Sequence, residues 1–228
     1  MNRPVLTSPQ QQIINAWHAN ALPWCEAVRN NQIASRVAVT NQAVVDACLQ
    51  SNPQTGLDIG CGEGWLVREL ANHSVAMTGV DAVTALIAAA EQLSDDNFAV
   101  LDYEQVSNGA IDSQFDLVVC NFSLFGDDDV VRLLAAIPKL LTPNGVFALQ
   151  TLHPETACGD LPYQDGWRTG SWAGLGPGFA NPPPWYFRTL KSWQNLITCS
   201  GLNLTRTITP TRPNSDKPLS VIFLATLP

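Results

Sequence analysis

The sequence predicts an α/β fold in which helices cover both faces of a doubly wound, mostly parallel sheet. Short apolar runs alternate along the chain with segments whose apolar residues recur at helical spacing. The first apolar run passes directly into a glycine-rich turn and a helix. Two apolar runs with no helix between them close the chain, which indicates a C-terminal antiparallel hairpin.

The predicted elements begin with two N-terminal helices, over about residues 9–21 and 40–51. Seven strands follow, and their sequences are TGLDIG, AMTGVDA, FAVLDYEQV, FDLVVCNFSLF, VFALQTLHP, LNLTRTITP and SVIFLATL. Helical spacing is found between them in CGEGWLVRELAN, AVTALIAAAEQL, DDDVVRLLAAIPKLLTPNG and LKSWQNLITCS. Asp127, Asp128 and Asp129 open the third of these helices, where acids favour the positive end of the helix dipole, and we expect them to be solvated. Thr189 is placed to cap the last helix.

Residues 154–187 differ from the rest of the chain because they are dense in Gly, Pro and Trp and show no regular period. A segment of this length is long for a connection inside a domain, so we expect a functional cap inserted after the fifth strand. The whole chain, residues 1–228, is expected to form a single domain in which residues 1–51 supply the N-terminal helices.

Composition excludes several classes of protein. The net charge of −8 without a Lys/Arg cluster argues against a nucleic-acid surface, since such surfaces are basic. The six cysteines form no CxxC pair and no metal-ligand spacing, so we expect reduced thiols and no metal. No apolar run is long enough to span a membrane, and the N-terminus lacks a signal-peptide pattern. We therefore expect a cytoplasmic location, whereas the oligomeric state is not predicted.

The glycine-rich turn LDIGCGEGW, from Leu57 to Trp65, is the strongest functional signal. Glycines at positions 60, 62 and 64 let the backbone approach a ligand closely, and the helix that follows presents free N–H groups. A nicotinamide-binding turn, G-x-G-x-x-G, would need its third glycine where Trp65 stands. An NAD(P)-dependent oxidoreductase therefore remains only as an alternative.

From Asp58 to the C-terminus the chain resembles the class I S-adenosylmethionine-dependent methyltransferases, which have a Rossmann-like fold with a terminal antiparallel hairpin. The resemblance rests on the glycine-rich turn, on an acid that ends the second strand, and on the hairpin. It implies that S-adenosyl-L-methionine is the cofactor and S-adenosyl-L-homocysteine the product. A protein that senses or scaffolds this cofactor without turnover is a further alternative.

The resemblance assigns cofactor contacts by position. Asp81 would bind the ribose hydroxyls, Asp102 with the neighbouring Tyr103 the adenine, and Asn121 with Phe122 the methionine part. Arg36 would clamp the methionine carboxylate or else form a surface salt bridge, and Asp58 would support the cofactor or only organise the turn. The remaining expected contacts are Gly60, Cys61, Gly62 and Ala82. Cys61 is expected to be a small residue tolerated for space, not a nucleophile.

A narrower likeness concerns the segments QTLHP, YQDGWR and PWYFRTLKSW, which are similar to uncharacterised bacterial methyltransferases grouped loosely with those of quinone biosynthesis. This likeness identifies relatives without naming a substrate. We expect a small-molecule acceptor, for which aromatic or quinone-like hydroxyls are the first candidates. The stretch ANPPPWYF contains the Asn-Pro-Pro-aromatic tetrad of enzymes that methylate nucleic-acid bases, but theirs follows the fourth strand. Here Cys120-Asn121-Phe122-Ser123 stands at that position, so we expect a rigid polyproline segment in the cap and no nucleic-acid partner.

Candidates for the acceptor side of the site come from histidines and aromatic residues. His153 follows the fifth strand at the binding edge of the sheet, where it is expected either to act as a general base or only to line the pocket or bond to the cap. His18 on the first helix is a weaker candidate. The aromatic residues expected to form a substrate pocket or the core of the cap are Tyr163, Trp167, Trp172, Trp185 and Tyr186.

Overall fold

In the computed structural model, which describes residues 7–212 and 215–228, one seven-stranded sheet organises the protein. The strands in chain order are β1 (Thr55–Ile59), β2 (Ala76–Asp81), β3 (Asn97–Val100), β4 (Phe115–Asn121), β5 (Leu141–Leu152), β6 (Gly166–Arg168), β7 (Trp185–Phe187), β8 (Asn203–Ile208) and β9 (Ser220–Thr226). The large sheet has the order β3-β2-β1-β4-β5-β9-β8. Strands β1 to β5 are parallel, and β9 is antiparallel to both β5 and β8. The predicted fold class is therefore confirmed.

Helices cover both faces of this sheet. They are α1 (Pro9–Ala19), α2 (Ala21–Arg29), a π-helical turn (Arg36–Thr40), α3 (Asn41–Leu49), α4 (Trp65–Asn72), α5 (Thr84–Glu91), α6 (Tyr103–Ser107), α7 (Asp128–Leu140), α8 (Pro154–Ala157) and α9 (Leu190–Cys199). One apolar cluster packs α7 and α9 against the sheet, and a second packs α3 and α4 against the opposite face. These two clusters fix the strands whose carboxyl ends form the site.

The N-terminal region contains one helix more than the sequence predicted. Asn20 interrupts the expected first helix, and the chain continues after it as α2. Pro23 lies in the first turn of α2, where its missing N–H removes no helical hydrogen bond. The π-helical turn then leads into α3 and buries Arg36.

The third predicted strand was too long. Strand β3 ends at Val100, and Asp102 then caps α6 instead of extending the strand. Asp102 Oδ1 accepts a hydrogen bond from the Gln105 N–H at 2.8 Å, and Gln105 Oε1 accepts one from the Asp102 N–H at 2.9 Å. This reciprocal capping box starts a helix despite the apolar run before it. Strand β5 likewise begins at Leu141, so the Pro-Asn-Gly turn lies within it and does not end α7.

The cap, residues 154–187, is more regular than expected. It contains α8 and a hairpin in which β6 pairs with β7. Trp185 and Tyr186 follow the proline run directly and lie in β7, where backbone pairing with β6 also holds them. The capping role of Thr189 is confirmed, since its side chain accepts a hydrogen bond from the Ser192 N–H at 3.2 Å. Among the described residues, no helix combines the length and apolar character needed to cross a bilayer.

Candidate functional site

The glycine-rich turn lies at the carboxyl edge of the sheet, between β1 and α4. Gly60, Gly62 and Gly64 all have positive φ, at 79°, 59° and 80°. A Cβ at Gly60 would collide with Ser123, which follows β4, so glycine is needed there for conformation and for space. The turn therefore packs against the end of the neighbouring strand, as expected for a binding edge where the strand order reverses.

A narrow cavity of about 100 Å³ opens above this turn, and we call it the glycine-loop cavity. Its floor comes from the ends of β1, β2 and β4, and its roof from α1 and α2 through Gln10, Ile13, Trp17 and Trp24. Every residue that the sequence assigned to the cofactor lines it: Arg36, Asp58, Gly60, Cys61, Gly62, Asp81, Ala82, Asp102, Tyr103, Asn121 and Phe122. The structure thus brings residues from five separate segments of the sequence into one place.

Two carboxylates on the floor differ in their environment. Both carboxylate oxygens of Asp81 accept a hydrogen bond, one from the Gly62 N–H at 2.9 Å and the other from the Val83 N–H at 2.9 Å. Asp58 is buried, and no group in the described part of the chain bonds to its Oδ1. Burial, together with the charge of Asp81, raises the pKa of Asp58 to about 8 although Arg36 acts in the opposite direction. A cationic ligand in the cavity would favour the ionised form of Asp58.

Arg36 forms a wall of the cavity, and the surface salt bridge considered for it is wrong because the side chain is buried. Its guanidinium carbon lies 4.6 Å from the ring centroid of Trp65 and 5.4 Å from that of Trp24. Nε donates to Asn41 Oδ1 at 3.0 Å, whereas Nη2 has no hydrogen-bond partner among residues 7–212 and 215–228. Burial lowers the pKa of Arg36 to about 10, so the group stays charged at neutral pH.

Tyr103 and Asn121 complete the floor beside Asp102. The buried Tyr103 hydroxyl donates to Ser123 O at 2.8 Å, and burial holds the pKa of this phenol well above its usual range. Asn121 ends β4, and Phe122 follows it with a φ of 52°. A positive φ is uncommon for a phenylalanine, and such strain is concentrated at binding sites. Cys61 is also buried, which raises the pKa of its thiol and keeps it unreactive.

Unpartnered polar atoms concentrate in the glycine-loop cavity. Eight buried side-chain oxygens or nitrogens have no hydrogen-bond partner within the described residues, and five of them belong to residues that line this cavity. These five are Gln10 Oε1, Arg36 Nη2, Asp58 Oδ1, Asn121 Oδ1 and Asp129 Oδ2. Because a buried polar atom without a partner is unfavourable, this set indicates a ligand that carries both hydrogen-bond donors and an anionic group.

The environment of the acidic run from Asp127 to Asp129, which opens α7, was only partly predicted. Asp128 is exposed as expected, and Asp127 pairs with Arg188 at 3.0 Å. Asp129 is buried, so the prediction that it is solvated was wrong. Asp129 lies in the first turn of α7, which directs it inward, whereas Asp127 is the N-cap residue outside the helix.

A larger cavity of about 700 Å³ lies beside the first, between the cap and the N-terminal helices, and we call it the cap cavity. Its lining is mostly apolar, and it contains neither a carboxylate nor an imidazole among the residues the structure describes. Both cavities share a wall formed by Trp17, Trp24, Arg36, Phe122 and Phe125. Four of these five residues are aromatic, and the fifth, Arg36, is a cation.

Trp17 is the centre of this aromatic wall. Its ring lies 5.2 Å from that of Trp24, 5.8 Å from that of Phe125 and 5.3 Å from that of Trp172 in the cap. A single side chain of α1 thus contacts α2, the segment after β4 and the cap. Neither Trp17 nor Phe125 was predicted as a site residue. Helical spacing alone cannot distinguish a helix that packs on the core from one that covers a pocket, and Phe125 lies in the loop between β4 and α7.

The aromatic residues predicted for the substrate pocket separate into two groups. Trp172 and Trp185 line the cap cavity, and Tyr186 faces a smaller crevice beside it together with Trp185. Tyr163 and Trp167 line neither space and are exposed. Tyr163 contacts Phe187, and Trp167 contacts Tyr186, so both serve the packing of the cap itself.

The two candidate histidines lie outside the described linings of both cavities. His153 is buried at the N-terminus of α8, burial lowers its pKa, and no described group bonds to its Nδ1. His18 is exposed on α1. The base role of His153 therefore stays a prediction, and the cavities themselves present no imidazole from the described residues to an acceptor.

Glu63 is buried within the glycine-rich turn, and the sequence did not predict its structural role. It bonds to Arg29 Nε at 3.1 Å and to Arg68 Nη2 at 2.9 Å. Because Arg29 lies on α2, this pairing ties the roof helices to the glycine-rich turn. Its only signal in the sequence was a charge within an otherwise small and apolar loop.

Comparison with known proteins agrees with this geometry. The chain has the class I methyltransferase fold: a S-adenosylmethionine-dependent methyltransferase from Clostridium acetobutylicum shares 18% identity and a TM-score of 0.65, with 84% of this chain and 94% of that chain covered. The glycopeptide N-methyltransferase MtfA, solved with S-adenosylmethionine, gives 17% identity and a TM-score of 0.59 over 76% of this chain and 87% of that one.

Comparison at the level of sequence also finds methyltransferases. Residues 57–149 match the family described as a methyltransferase domain. The ubiquinone biosynthesis O-methyltransferase of Pasteurella multocida is 28% identical over 120 residues, 46% of this chain and 50% of that protein. The chain thus spans about half the length of the curated relatives it matches. Residues 57–149 thus match a methyltransferase domain, and the chain has the fold of solved S-adenosylmethionine-dependent methyltransferases.

Proposed function

We propose that the protein binds S-adenosylmethionine in the glycine-loop cavity and transfers its methyl group to a small molecule held in the cap cavity. The observation that carries this proposal is the set of five unpartnered polar atoms around the glycine-loop cavity. The cofactor offers matching groups, since its ammonium and hydroxyls are donors and its carboxylate is an acceptor. The Arg36 guanidinium suits the carboxylate, and the oxygens of Asp58 and Asn121 suit the donors.

S-adenosylmethionine supplies an activated methyl group, because the acceptor's electron pair can bond to the methyl carbon while the C–S pair returns to sulfur. The chain contributes mainly by holding donor and acceptor in line, an effect that can reach roughly 7 to 11 kcal/mol. Phe122, Phe125 and Trp17 line both cavities, so the two spaces adjoin at these residues, where a methyl group would have to pass between them. Aromatic side chains there would also exclude water from the transfer.

The cap cavity favours a largely apolar acceptor. Its volume of about 700 Å³ falls within the range of sites for drug-sized ligands. Arg168 lines it but is occupied, since it donates to the carbonyls of Cys158 and Pro162 and stacks on Phe187. We therefore propose an aromatic or quinone-like acceptor whose nucleophilic atom is a hydroxyl. If His153 acts as its base, replacing it with alanine will abolish turnover of such an acceptor without weakening cofactor binding.

Ligand-dependent unfolding tests the proposal. S-adenosylmethionine and S-adenosylhomocysteine at about 100 times their dissociation constants should each stabilise the protein by roughly 2.7 kcal/mol, whereas NAD should not. A shift with NAD alone would favour the oxidoreductase alternative. Release of S-adenosylhomocysteine across a panel of phenols and quinols then tests turnover. Cofactor binding without release for any acceptor class would favour a sensor or scaffold.

A further inference from the structure

Asp129, in the first turn of α7, is the one buried acid of the run from Asp127 to Asp129. Its side chain is 8% exposed, it lines the glycine-loop cavity, and Oδ2 accepts no hydrogen bond from any described residue. Burial holds the pKa of Asp129 above its usual value, whereas the N–H groups of Val130 and Asp129 and the charges of Arg132 and Arg188 favour the ionised carboxyl. A carboxylate of this kind suits a cationic partner in the cavity.

The neighbourhood of Asp129 is fixed by other contacts. Its carboxyl group packs so closely on Gly126 that a Cβ at that position would collide with it. Arg188 holds the preceding segment by donating to Gly126 O at 2.8 Å and to Asp127 Oδ1 at 3.0 Å. Since Arg188 is committed to these oxygens, it does not bond to the free oxygen of Asp129, which keeps its capacity for a ligand.

The position of Asp129 indicates which part of the cofactor it meets. Gly126 directly follows Phe125, and Phe125 lies in the wall that the two cavities share. For transfer, the methyl group must face this wall, so the sulfonium to which it is attached must lie beside it. Asp129 does not line the cap cavity, which argues against its being the base of the acceptor.

We propose that Asp129 binds the positive charge at the sulfonium of S-adenosylmethionine and so makes the site distinguish this cofactor from its product; the inference rests on the proposed function. Transfer converts the sulfonium into a neutral thioether, because the C–S electron pair remains on sulfur. The carboxylate then loses its partner, while the contacts of the shared adenosine and amino-acid parts persist. Product release is favoured as a result.

Binding of three ligands to the full-length protein tests this. Asp129→Asn should weaken S-adenosylmethionine and sinefungin, which carries an ammonium in place of the methylsulfonium, by about tenfold, the scale of a partly screened charge pair. S-adenosylhomocysteine should bind the variant within about twofold of the unmodified protein, because it has no charge at that position. Asp128→Asn, an exposed change of the same charge one residue away, is the control and should leave all three affinities unchanged.

Equal weakening of all three ligands would overturn the proposal, since Asp129 would then contact a part that they share. Unchanged binding of all three would also overturn it. If Asp129→Asn does not fold, Gly126→Ala provides the second test, because its methyl group would displace the carboxyl and should produce the same selective loss. Failure of the unmodified protein to bind any of the three ligands would instead refute the proposed function itself.

Discussion

Asn20, which lies between α1 and α2, and Ala180, which lies in the cap, form two hydrogen bonds with each other. Asn20 Nδ2 donates to Ala180 O at 2.9 Å, and the Ala180 N–H donates to Asn20 Oδ1 at 2.8 Å. Trp172 Nε1 adds a third bond to the same carbonyl at 2.9 Å. The residue that separates α1 from α2 thus latches the cap to the roof of the glycine-loop cavity.

Removing this latch should loosen the cap locally. For Asn20→Ala we expect faster amide hydrogen exchange over residues 172–182, because the Ala180 N–H loses its acceptor. We also expect the free energy of unfolding to fall by about 1 kcal/mol, the net contribution of a typical hydrogen bond, because Ala180 is exposed and can bond to water instead. Asn15→Ala, an exposed change on the same helix, is the control. Unaltered exchange in the cap would contradict the latch.

Arg36 should determine the affinity for the amino-acid part of the cofactor. In Arg36→Met we expect S-adenosylmethionine and S-adenosylhomocysteine to bind roughly 10- to 100-fold more weakly, as a charge-assisted hydrogen bond contributes about 1.5 to 3 kcal/mol. 5′-Methylthioadenosine lacks the carboxylate and should bind equally well to both forms. Titration calorimetry measures all three, with exposed Arg132→Met as the control. Equal losses for the three ligands would indicate a collapsed site instead of a lost clamp.

Glu63 should be a strong determinant of stability. Glu63→Gln leaves the guanidinium groups of Arg29 and Arg68 without their shared carboxylate, and the side chain it replaces is fully buried. Because both arginines are partly exposed to solvent, we expect a loss of about 1 to 3 kcal/mol, below the figure for a fully buried pair. Chemical denaturation provides the value. Exposed Glu69→Gln should change it by less than about 0.5 kcal/mol, and a similar value for both variants would refute the role of Glu63.

Asp58 should make stability depend on pH. Its pKa is about 8 in the folded protein against an ordinary value of 3.8, so between these values the folded state holds a proton that the unfolded chain has released. Stability from this group is therefore present at low pH and is lost as pH rises towards 8, by at most about 1.4 kcal/mol per pH unit.

Denaturation at pH 5 and pH 7.5 checks this expectation. The unmodified protein should lose more unfolding free energy between the two than Asp58→Asn, which has no proton to release. Parallel pH profiles for the two proteins would show that Asp58 is ionised throughout, and the pKa inferred from its burial would then be wrong.

The residues on the floor of the glycine-loop cavity could be predicted from the sequence because their positions depend on the residues next to them along the chain. Each strand end carries its functional residue within a few positions of an apolar run, as Asp81 and Asn121 do, and a parallel sheet brings such ends together. The register of the strands then follows from burial. For this reason the predicted cofactor contacts at and after the strand ends line one cavity.

The helices of the roof and the burial of the charged side chains could not be predicted from the sequence in this way. Burial of Asp129 depends on which way the first turn of α7 faces, and burial of Arg36 depends on a π-helical turn that leaves no compositional signal. Helix α2 could not be recognised because Asn20 and Pro23 interrupt a simple apolar stripe. These features are decided by packing between distant segments, which a single sequence does not encode locally.

The contacts of Trp17 with Trp24, Phe125 and Trp172 give the molecule a built-in optical reporter. Three of the seven tryptophans of the chain meet at the place where roof, sheet and cap touch, so separation of these parts alters the surroundings of several indoles at once. Intrinsic fluorescence should therefore report any change in these contacts on ligand binding in real time, without a label, and stopped-flow mixing can resolve whether the two ligands enter in a fixed order.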